Sequence, residues 1–374
     1  MEPLVEPGPK LTAAQRVRYS RHLLLDRIGE QGQRRLLAAR VLVVGAGGLG
    51  SPALLYLAAA GVGTIGVVDD DTVEESNLQR QIAHRTQDVG RAKVDSAADA
   101  VARANPEVVV VRHGERLTPE NALELVSGYD LVLDGSDSFS TRYLVNDACV
   151  LAGRPWVWGA VLRFDGHVAT FWDGHGPTYR DLFATAPAPG TVPSCGEAGV
   201  LGGVCGTIAS VMVTEAVKLI TGAGRTLLGR VLVHDALEMT WRSLEVRPDP
   251  RRAPVTGLRE EPSCRLPGAA DLPAVTAAGL TAELAGASPP VVVDVRGPHE
   301  RAELSIPGSV PVPLAGVLDG SASLPAGPLV LHCAGGTRSA QALTVLLRAG
   351  RDDVRHLQGG IRAWVAAGGV VDRP

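Results

Sequence analysis

The sequence predicts an α/β protein: a doubly wound, largely parallel sheet with an antiparallel extension, followed by a smaller α/β domain. Short runs of β-branched residues alternate with Ala- and Leu-rich stretches, as in parallel sheets covered by helices. Residues 41–44 run directly into a glycine turn and a helical segment. The alternation resumes near residue 290, after a stretch at 248–273 that is dense in Pro, Arg and Glu.

The first elements follow from local patterns. Residues 11–39 predict a mostly helical arm with breaks at Gly29 and Gly32, and the arm carries a basic cluster that includes Arg21. Alternating side chains at 167–172 predict an antiparallel strand, and residues 173–199, rich in Pro and Gly, predict a mobile crossing loop. Buried strands are expected at 41–44, 64–69, 106–112, 129–134 and 155–160, with helices at 51–60, 90–104, 119–126 and 142–152.

The later elements divide at the Pro-rich stretch, which is the predicted linker. Before it, residues 200–220 predict a long apolar helix and 230–246 predict two strands. We therefore expect domains at 1–247 and 275–374 joined by a linker at 248–274, since 374 residues favour two domains. The second domain is expected to contain strands at 290–294 and 329–333 and helices at 339–349 and 361–367.

Composition excludes several classes of protein. The net charge of −4 does not indicate the basic surface that binding to nucleic acid or an anionic membrane requires. No apolar run reaches the roughly 18–20 residues that span a bilayer, and the N-terminus lacks the pattern of a signal peptide, so a cytoplasmic protein is expected. An odd, scattered set of cysteines argues against a disulfide framework and leaves reactive thiols: Cys149, Cys195, Cys205, Cys264 and Cys333. Cys149 and Cys205 lie in apolar helical contexts and are expected in the core.

The glycine turn after the first strand predicts a phosphate site in a Rossmann-like fold. Gly45, Gly47 and Gly50 let the backbone approach a phosphate, and the helix that follows points its free amides at it. Acids at 69–70 lie about twenty residues downstream, where the dinucleotide fingerprint has one. These residues alone leave NAD and other nucleotides equally open.

The polar residues beyond Asp69 favour a nucleoside triphosphate. A dinucleotide carries about two phosphate charges and a triphosphate about four, which require fixed cations and a carboxylate for a metal ion. Arg80 and Lys93 supply cations, Asp69 suits a ribose, and Asp137 follows a strand, where ligands gather in such folds. Each residue alone is more simply read as a surface charge, whereas the ordered set is harder to explain that way.

These motifs resemble the MoeB/ThiF family of ubiquitin-activating-enzyme-like adenylyltransferases over about residues 15–247, most specifically at 77–81. The resemblance implies ATP, Mg²⁺ held by Asp137, and a ubiquitin-like sulfur carrier ending in Gly-Gly whose carboxylate attacks the α-phosphate. It also implies that Arg21 enters the partner subunit's site of a homodimer. The implied nucleotide site comprises Gly45, Gly47, Gly48, Gly50, Asp69, Asp71, Ser76, Asn77, Arg80, Gln81, Lys93, Asp137 and Ser138.

The resemblance also concerns cysteines that are present and cysteines that are missing. It implies that Cys195, in the Gly-flanked stretch 193–199, is the conjugating or resolving thiol. The alternative is that Cys195 is a loop cysteine without a function. Many family members bind structural zinc through two Cys-x-x-Cys pairs. The matching places here, residues 178–181 and 252–255, contain no cysteine, and Cys264 alone cannot make a tetrahedral thiolate site, so no zinc is expected.

The C-terminal stretch contains a second thiol loop, Cys333-Ala334-Gly335-Gly336-Thr337-Arg338, between a predicted strand and a helix. The amides of such a loop stabilise a thiolate. With residues 294–296, 306–309 and 357–364, it resembles a rhodanese domain over about 275–374, which implies a persulfide on Cys333. Four residues separate Cys333 from Arg338, unlike the five of phosphatase loops. The alternative is an inactive structural module.

An adenylation domain followed by a rhodanese domain resembles the MoeZ-type sulfur-carrier adenylyltransferase/sulfurtransferases. The two resemblances together imply that a carrier is adenylated, takes sulfur from the Cys333 persulfide and leaves as a thiocarboxylate for molybdopterin, thiamine, cysteine or another sulfur-containing product. The sulfur donor would be a cysteine desulfurase or thiosulfate. The alternatives are an NAD-dependent oxidoreductase, which leaves Arg80, Lys93 and the Cys333 loop unexplained, and an inactive carrier-binding scaffold.

Overall fold

A computed structural model describes residues 2–186, 199–259 and 272–373. Within these ranges the chain divides into two compact units, the first formed by 2–186 and 199–259 and the second by 272–373. Each unit has its own sheet and its own apolar core. The two units are described separately below.

The first unit is built on an eight-stranded sheet in the order β3-β2-β1-β4-β5-β6-β7-β8. The five strands β3, β2, β1, β4 and β5 are mutually parallel, and β6, β7 and β8 follow in antiparallel pairing. This confirms the predicted sheet with its antiparallel extension. The strands are β1 Arg40–Val44, β2 Thr64–Val68, β3 Val109–His113, β4 Leu131–Asp134, β5 Trp156–Leu162, β6 Asp165–Phe171, β7 Arg230–Asp235 and β8 Thr240–Glu245.

Helices cover both faces of this sheet. Successive side chains of β1 point to opposite faces, so that Val41 and Val43 join the core under α3, α4, α5 and α9, while Leu42 and Val44 join the core under α6 and α7. The helices are α1 Ala13–Arg18, α2 Ser20–Leu23, α3 Gly29–Ala38, α4 Gly50–Ala60, α5 Lys93–Ala104, α6 Ala122–Ser127, α7 Phe139–Ala152, α8 Tyr179–Leu182 and α9 Gly202–Thr221.

The N-terminal arm differs from its prediction. The long break lies at residues 24–28, and α3 begins at Gly29 and continues through Gly32, so the expected break at Gly32 is wrong. A Cβ at Gly32 would lie 2.9 Å from Ile28 and 3.4 Å from Thr221 of α9. The close approach of Ile28, which immediately precedes α3, therefore explains a glycine inside this helix. The predicted crossing loop is described only to residue 186, where it contains α8.

The expectation that no apolar stretch is long enough to span a bilayer is wrong for helix α9, which is long and apolar enough, by length and hydropathy, to cross a membrane. It packs instead into the first core, with Ile208, Met212 and Ala216 at most 1% exposed. The burial explains the apolar composition of α9 as that of a central core helix.

The second unit has a five-stranded parallel sheet in the order β11-β10-β12-β13-β9. The predicted strands and helices around Cys333 are present. The remaining elements are short, and sequence periodicity gives no signal for two-residue strands. The elements are β9 Ala274–Val275, α10 Ala277–Leu284, β10 Val291–Asp294, α11 Pro298–Glu303, β11 Val310–Pro311, α12 Leu314–Leu318, β12 Leu329–His332, α13 Thr337–Arg348, β13 Val354–Leu357 and α14 Gly360–Ala366.

Candidate functional site

The glycine turn lies at the carboxyl end of β1 and leads into α4. A Cβ on Gly50 would lie 1.7 Å from the carbonyl oxygen of Gly45, and Gly45 itself has a φ of +87°. Both positions therefore require glycine. Among the described residues, none accepts a hydrogen bond from the amides of Gly47 or Gly48. These free amides, at the N-terminus of an eleven-residue helix, suit an anionic ligand.

Asp69 links the glycine turn to the end of β2. Its Oδ2 accepts a hydrogen bond from the Ala46 amide at 2.8 Å, and its Oδ1 accepts one from the Asp71 amide at 2.9 Å. Lys93, almost fully buried at the start of α5, places Nζ 2.7 Å from Asp71 Oδ2 and 3.9 Å from Asp69 Oδ1. Burial raises the pKa of Asp69, and Lys93 and the two amides partly offset that rise. The structure thus brings three predicted site residues together.

The segment after β2 lies against the glycine turn. A Cβ on Gly48 would lie 3.6 Å from the Arg80 side chain, and one on Gly47 would lie 3.7 Å from Gln81 Nε2. Gln81 is 4% exposed, and its Oε1 has no hydrogen-bond partner among the described residues. A buried amide oxygen without a partner, beside free amides and a cation, fits a site that a polar ligand completes.

Ser76 and Asn77, by contrast, are occupied in local structure. Asn77 Oδ1 accepts a hydrogen bond from the Glu74 amide at 3.1 Å and closes a short 3-10 turn, Glu75–Asn77. The Ser76 hydroxyl donates to Glu74 Oε2 at 3.1 Å. Arg80 Nη1 donates to the carbonyl oxygen of Ser76 at 3.1 Å. This turn therefore holds the Arg80 side chain at its position.

The loop after β4 forms the neighbouring wall. A Cβ on Gly45 would lie 3.4 Å from the carbonyl oxygen of Gly135, so this loop and the glycine turn are in contact. Asp137 is exposed on the loop and has no partner among the described residues. Ser138 is the N-cap of α7, and its Oγ lies 2.7 Å from Ser140 Oγ. The free carboxylate of Asp137 suits a divalent cation, whereas the Ser138 hydroxyl is engaged in capping.

Two charged residues beside this loop were not predicted as site residues. Asp134 is fully buried at the end of β4, and its Oδ1 accepts a hydrogen bond from the Ser136 amide at 2.9 Å. Burial raises the pKa of Asp134 to about 6. Arg142, 7% exposed, donates to the carbonyl oxygen of Ser136 at 3.3 Å and lies over the Phe139 ring at 4.9 Å. The hydrophobic periodicity assigns Asp134 to a core strand and Arg142 to a helix, and it does not indicate that either charged side chain lies beside the site.

The remaining residues expected in the first unit take different positions. Arg21 is exposed on α2 and makes no hydrogen bond or ion pair within the described part of the chain. Cys149 and Cys205 are both 1% exposed, as expected of core cysteines. A Cβ on Gly48 would lie 3.1 Å from Cys205 Sγ, so Cys205 packs directly behind the turn. Cys195 and Cys264 lie outside the described residues.

The two segments expected to lack zinc ligands are joined by an ion pair. Asp181 of α8 has a fully buried side chain and lies 3.1 Å from Arg252 Nε, and Arg252 also donates to Asp173 at 2.7 Å. Asp181 further accepts hydrogen bonds from the Thr178 and Asp249 amides at 2.7 and 2.9 Å. A charged cluster therefore connects these two segments.

In the second unit, Cys333 follows β12 and is 1% exposed. The Gly336 amide donates to Cys333 Sγ at 3.1 Å, and the Ser339 hydroxyl lies 3.6 Å from the same sulfur. Gly336 has a φ of +101°, and a Cβ on Gly360 would lie 2.4 Å from the Cys333 carbonyl oxygen. The loop thus wraps the sulfur with hydrogen-bond donors, which stabilises a thiolate or a persulfide anion.

Two ion pairs support the Cys333 loop. Arg338 donates both terminal nitrogens to Glu300 of α11 at 2.6 Å each, and this pair raises the pKa of Arg338 and lowers that of Glu300. Deeper in the unit, Asp294 accepts from Arg296 Nε and Nη2 at 2.9 and 2.7 Å. His332, fully buried beside Cys333, has its pKa lowered to about 4 because burial disfavours its charged form.

The fold and these sites define a Rossmann-like nucleotide-binding unit joined to a parallel α/β unit that carries a cradled thiol. The chain belongs to the ThiF family, which matches residues 19–255, and residues 276–367 match the Rhodanese-like domain. Both matches confirm the resemblances carried by the sequence motifs.

Relatives match at high identity over most of the chain. It is 51% identical to the probable adenylyltransferase/sulfurtransferase MoeZ of Mycobacterium tuberculosis, covering 97% of this chain and 96% of that protein. It is also 51% identical to the sulfur carrier protein adenylyltransferase of Thermus thermophilus, covering 66% and 92%. Among solved structures, E. coli MccB with ATP has a TM-score of 0.57 at 21% identity, covering 63% and 73%, which shows the fold.

Proposed function

We propose that this chain is an enzyme that adenylates the C-terminal glycine of a ubiquitin-like sulfur carrier and then transfers sulfur to it. The observation that carries the proposal is one chain with two complete sets of groups. The first set comprises free amides at a glycine turn beside Arg80 and Lys93, and the second is a thiol held by loop amides. The family and the relatives' names support this combination.

Adenylation uses the first set. The carrier's carboxylate oxygen attacks the α-phosphorus of ATP, the bond to the β-phosphate breaks, and the products are carrier acyl-adenylate and pyrophosphate. The amides of Gly47 and Gly48 bind phosphate oxygens, Asp69 holds the ribose, and Arg80 and Lys93 neutralise charge that develops at the reacting phosphate. Asp137 would hold the magnesium ion, which, when bound, neutralises phosphate charge.

Sulfur transfer uses the second set. Cys333 first attacks the outer sulfur of a donor and keeps that sulfur as a persulfide. The donor's sulfur–sulfur bond breaks, and the leaving group is the cysteine thiolate of a desulfurase persulfide or the sulfite of thiosulfate. The persulfide sulfur then attacks the acyl-adenylate carbonyl and AMP leaves, giving an acyl disulfide between carrier and Cys333. A thiol attacks the Cys333 sulfur of this acyl disulfide, the sulfur–sulfur bond breaks and carrier thiocarboxylate is released. The disulfide that remains between this thiol and Cys333 is reduced by an external dithiol or thiol reductant, which restores Cys333. Our candidate for the attacking thiol is Cys195.

We propose that the protein assembles as a homodimer. We also propose that it acts in the cytoplasm, where thiols stay reduced. The exposed, unpaired Arg21 would act on the nucleotide bound by the partner copy. The absence of zinc is part of the proposal. The NAD alternative leaves Arg80 and Lys93 without a role, and the scaffold alternative leaves the hydrogen-bonded Cys333 sulfur without one.

The test of the adenylation site is ATP–pyrophosphate exchange with a purified carrier and Mg²⁺. We expect exchange that depends on the carrier, and a loss of at least about 100-fold in Lys93→Ala, because a buried cation beside the phosphates is removed. Lys10→Ala, which changes an exposed lysine, is the matched control and should leave the rate unchanged. Equal exchange by wild type and Lys93→Ala would refute the site, and no exchange by wild type would favour the scaffold.

A further inference from the structure

His84 is a buried histidine directly behind the glycine turn that none of the proposed steps uses. It is 5% exposed, and both ring nitrogens lie within hydrogen-bond distance of a partner. Nε2 is 3.0 Å from the carbonyl oxygen of Ala46, the residue between Gly45 and Gly47 of the turn. Nδ1 is 2.8 Å from the hydroxyl of Ser96 on α5.

The partners decide where the ring proton lies. The Ala46 carbonyl only accepts hydrogen bonds, so Nε2 must carry a proton. Burial lowers the pKa of His84 and Lys93 adds to that effect, opposed by the Ala46 carbonyl, Asp69 and Asp88, so the ring is neutral near pH 7. A neutral ring has one proton, which leaves Nδ1 as an acceptor for the Ser96 hydroxyl.

Asp88 anchors the far end of this chain of hydrogen bonds. It is 2% exposed, and its Oδ1 accepts from Arg91 at 2.5 Å while its Oδ2 accepts from the Arg85 amide at 3.0 Å. The Ser96 hydroxyl is also placed to donate to the same Oδ2, at 3.0 Å. Ser96 has one hydroxyl proton, and when it donates this proton to His84 instead, Asp88 keeps the hydrogen bonds from Arg91 and the Arg85 amide.

Two further contacts fix the turn, one from the His84 segment and one from Asp69. The Ala83 amide donates to the Ser51 hydroxyl in the first turn of α4 at 2.6 Å. On its other side, the Ala46 amide donates to Asp69 Oδ2 at 2.8 Å. The peptide groups on both sides of Ala46 are thus fixed, one by Asp69 and one by His84. The next two amides along the chain, Gly47 and Gly48, are the ones left free for a ligand.

We propose that His84 is a positioning residue of the nucleotide site: as the Nε2–H tautomer required by the Ala46 carbonyl, it fixes the Ala46 peptide and so aims the free amides at the phosphates. This inference rests on the proposed adenylation function. It assigns His84 no contact with ATP, so its effect reaches the nucleotide only through the orientation of the turn.

The test measures ATP binding in the presence of Mg²⁺ by calorimetry on the full chain. His84→Leu should weaken ATP affinity about tenfold, because the Ala46 carbonyl loses its donor. His84→Gln, whose amide nitrogen can take the place of Nε2, should restore affinity to within about threefold of wild type. His234→Leu is the matched control, since His234 is 2% exposed and bonds to the Thr240 carbonyl away from the turn, and it should bind ATP as wild type does.

A nitrogen NMR spectrum of the His84 ring supplies a readout that stability alone would not change. Wild type should show a protonated Nε2 and an unprotonated, hydrogen-bonded Nδ1. The opposite tautomer, or ATP binding by His84→Leu as tight as that of wild type, would overturn this inference and leave the proposed function unaffected. Equal losses in His84→Gln and His84→Leu would also overturn it. Wild-type protein that binds no ATP would instead overturn the proposed function, and the inference with it.

Discussion

At the residue scale, buried charges lie at the proposed nucleotide site of the first unit. Lys93 is 6% exposed and is compensated by Asp71 at 2.7 Å. Asp134 is 0% exposed, and the Ser136 amide that binds it is neutral. A carboxyl group buried in this way favours its protonated form, and burial is the main reason that the pKa of Asp134 rises to about 6. Such a residue lowers the stability of the fold near neutral pH.

The pH dependence of stability should reveal Asp134. Its unfolded pKa is about 3.9, so the folded state binds the extra proton between about pH 4 and pH 6. Stability contributed by this group is therefore lost as pH rises through about 6. Asp134→Asn should be more stable than wild type at pH 7.5 by up to about 3 kcal/mol, with the difference disappearing near pH 4. Urea unfolding of the first unit across this pH range measures it.

The matched control for Asp134→Asn is Asp26→Asn, which changes an exposed carboxyl group before α3 and should leave the pH profile as it is in wild type. A variant Asp134→Asn that is less stable than wild type at pH 7.5 would show that the buried carboxylate is better compensated than its contacts indicate.

At the element scale, an ion-pair cluster joins α8 to the segment after β8. The side chain of Asp181 is fully buried, and Arg252 connects it to Asp173. These are the places where the sequence resemblance implies cysteine pairs in many family members, and in this chain a carboxylate and a guanidinium meet there. Because one partner is buried, removing the other partner leaves an uncompensated buried charge and costs more than removing one partner of an exposed ion pair.

Removing Arg252 should therefore destabilise the first unit. Arg252→Ala leaves the buried Asp181 carboxylate with hydrogen bonds from Thr178 and Asp249 but without a cation. We expect the free energy of unfolding to fall by about 2–3 kcal/mol, at or below the usual cost of breaking a buried pair. Arg251→Ala, whose side chain is 89% exposed, should change it by less than about 0.5 kcal/mol. Equal effects of the two variants in urea unfolding would contradict the structural role of the cluster.

At the scale of the whole molecule, two units carry two separate chemistries. The nucleotide groups belong to the sheet β3 to β8, and the cradled Cys333 belongs to the parallel sheet of the second unit. The relative from Mycobacterium tuberculosis matches across 97% of the chain, so the combination is shared by that protein. Each chemistry should therefore be removable by itself.

Cys333→Ser should keep carrier-dependent ATP–pyrophosphate exchange within about twofold of wild type and form no carrier thiocarboxylate, since serine holds no persulfide. Mass spectrometry of wild type after a sulfur donor should show roughly 32 Da on Cys333, one added sulfur, and Lys93→Ala should show the same. Cys149→Ala, at a buried cysteine of α7, is the matched control. Thiocarboxylate formation by Cys333→Ser would exclude Cys333 as the sulfur carrier.

The sequence by itself determined the order of strands and helices, the glycine turn, the cations around it and the thiol loop, because these depend on local patterns and spacing. Only the tertiary structure decided what each polar residue does. It engages Ser138 and Asn77 in caps, buries Asp134, and sets His84 behind Ala46. It also keeps α3 helical through Gly32 against α9. Burial and hydrogen-bond partners come from segments distant in sequence, and periodicity does not contain them.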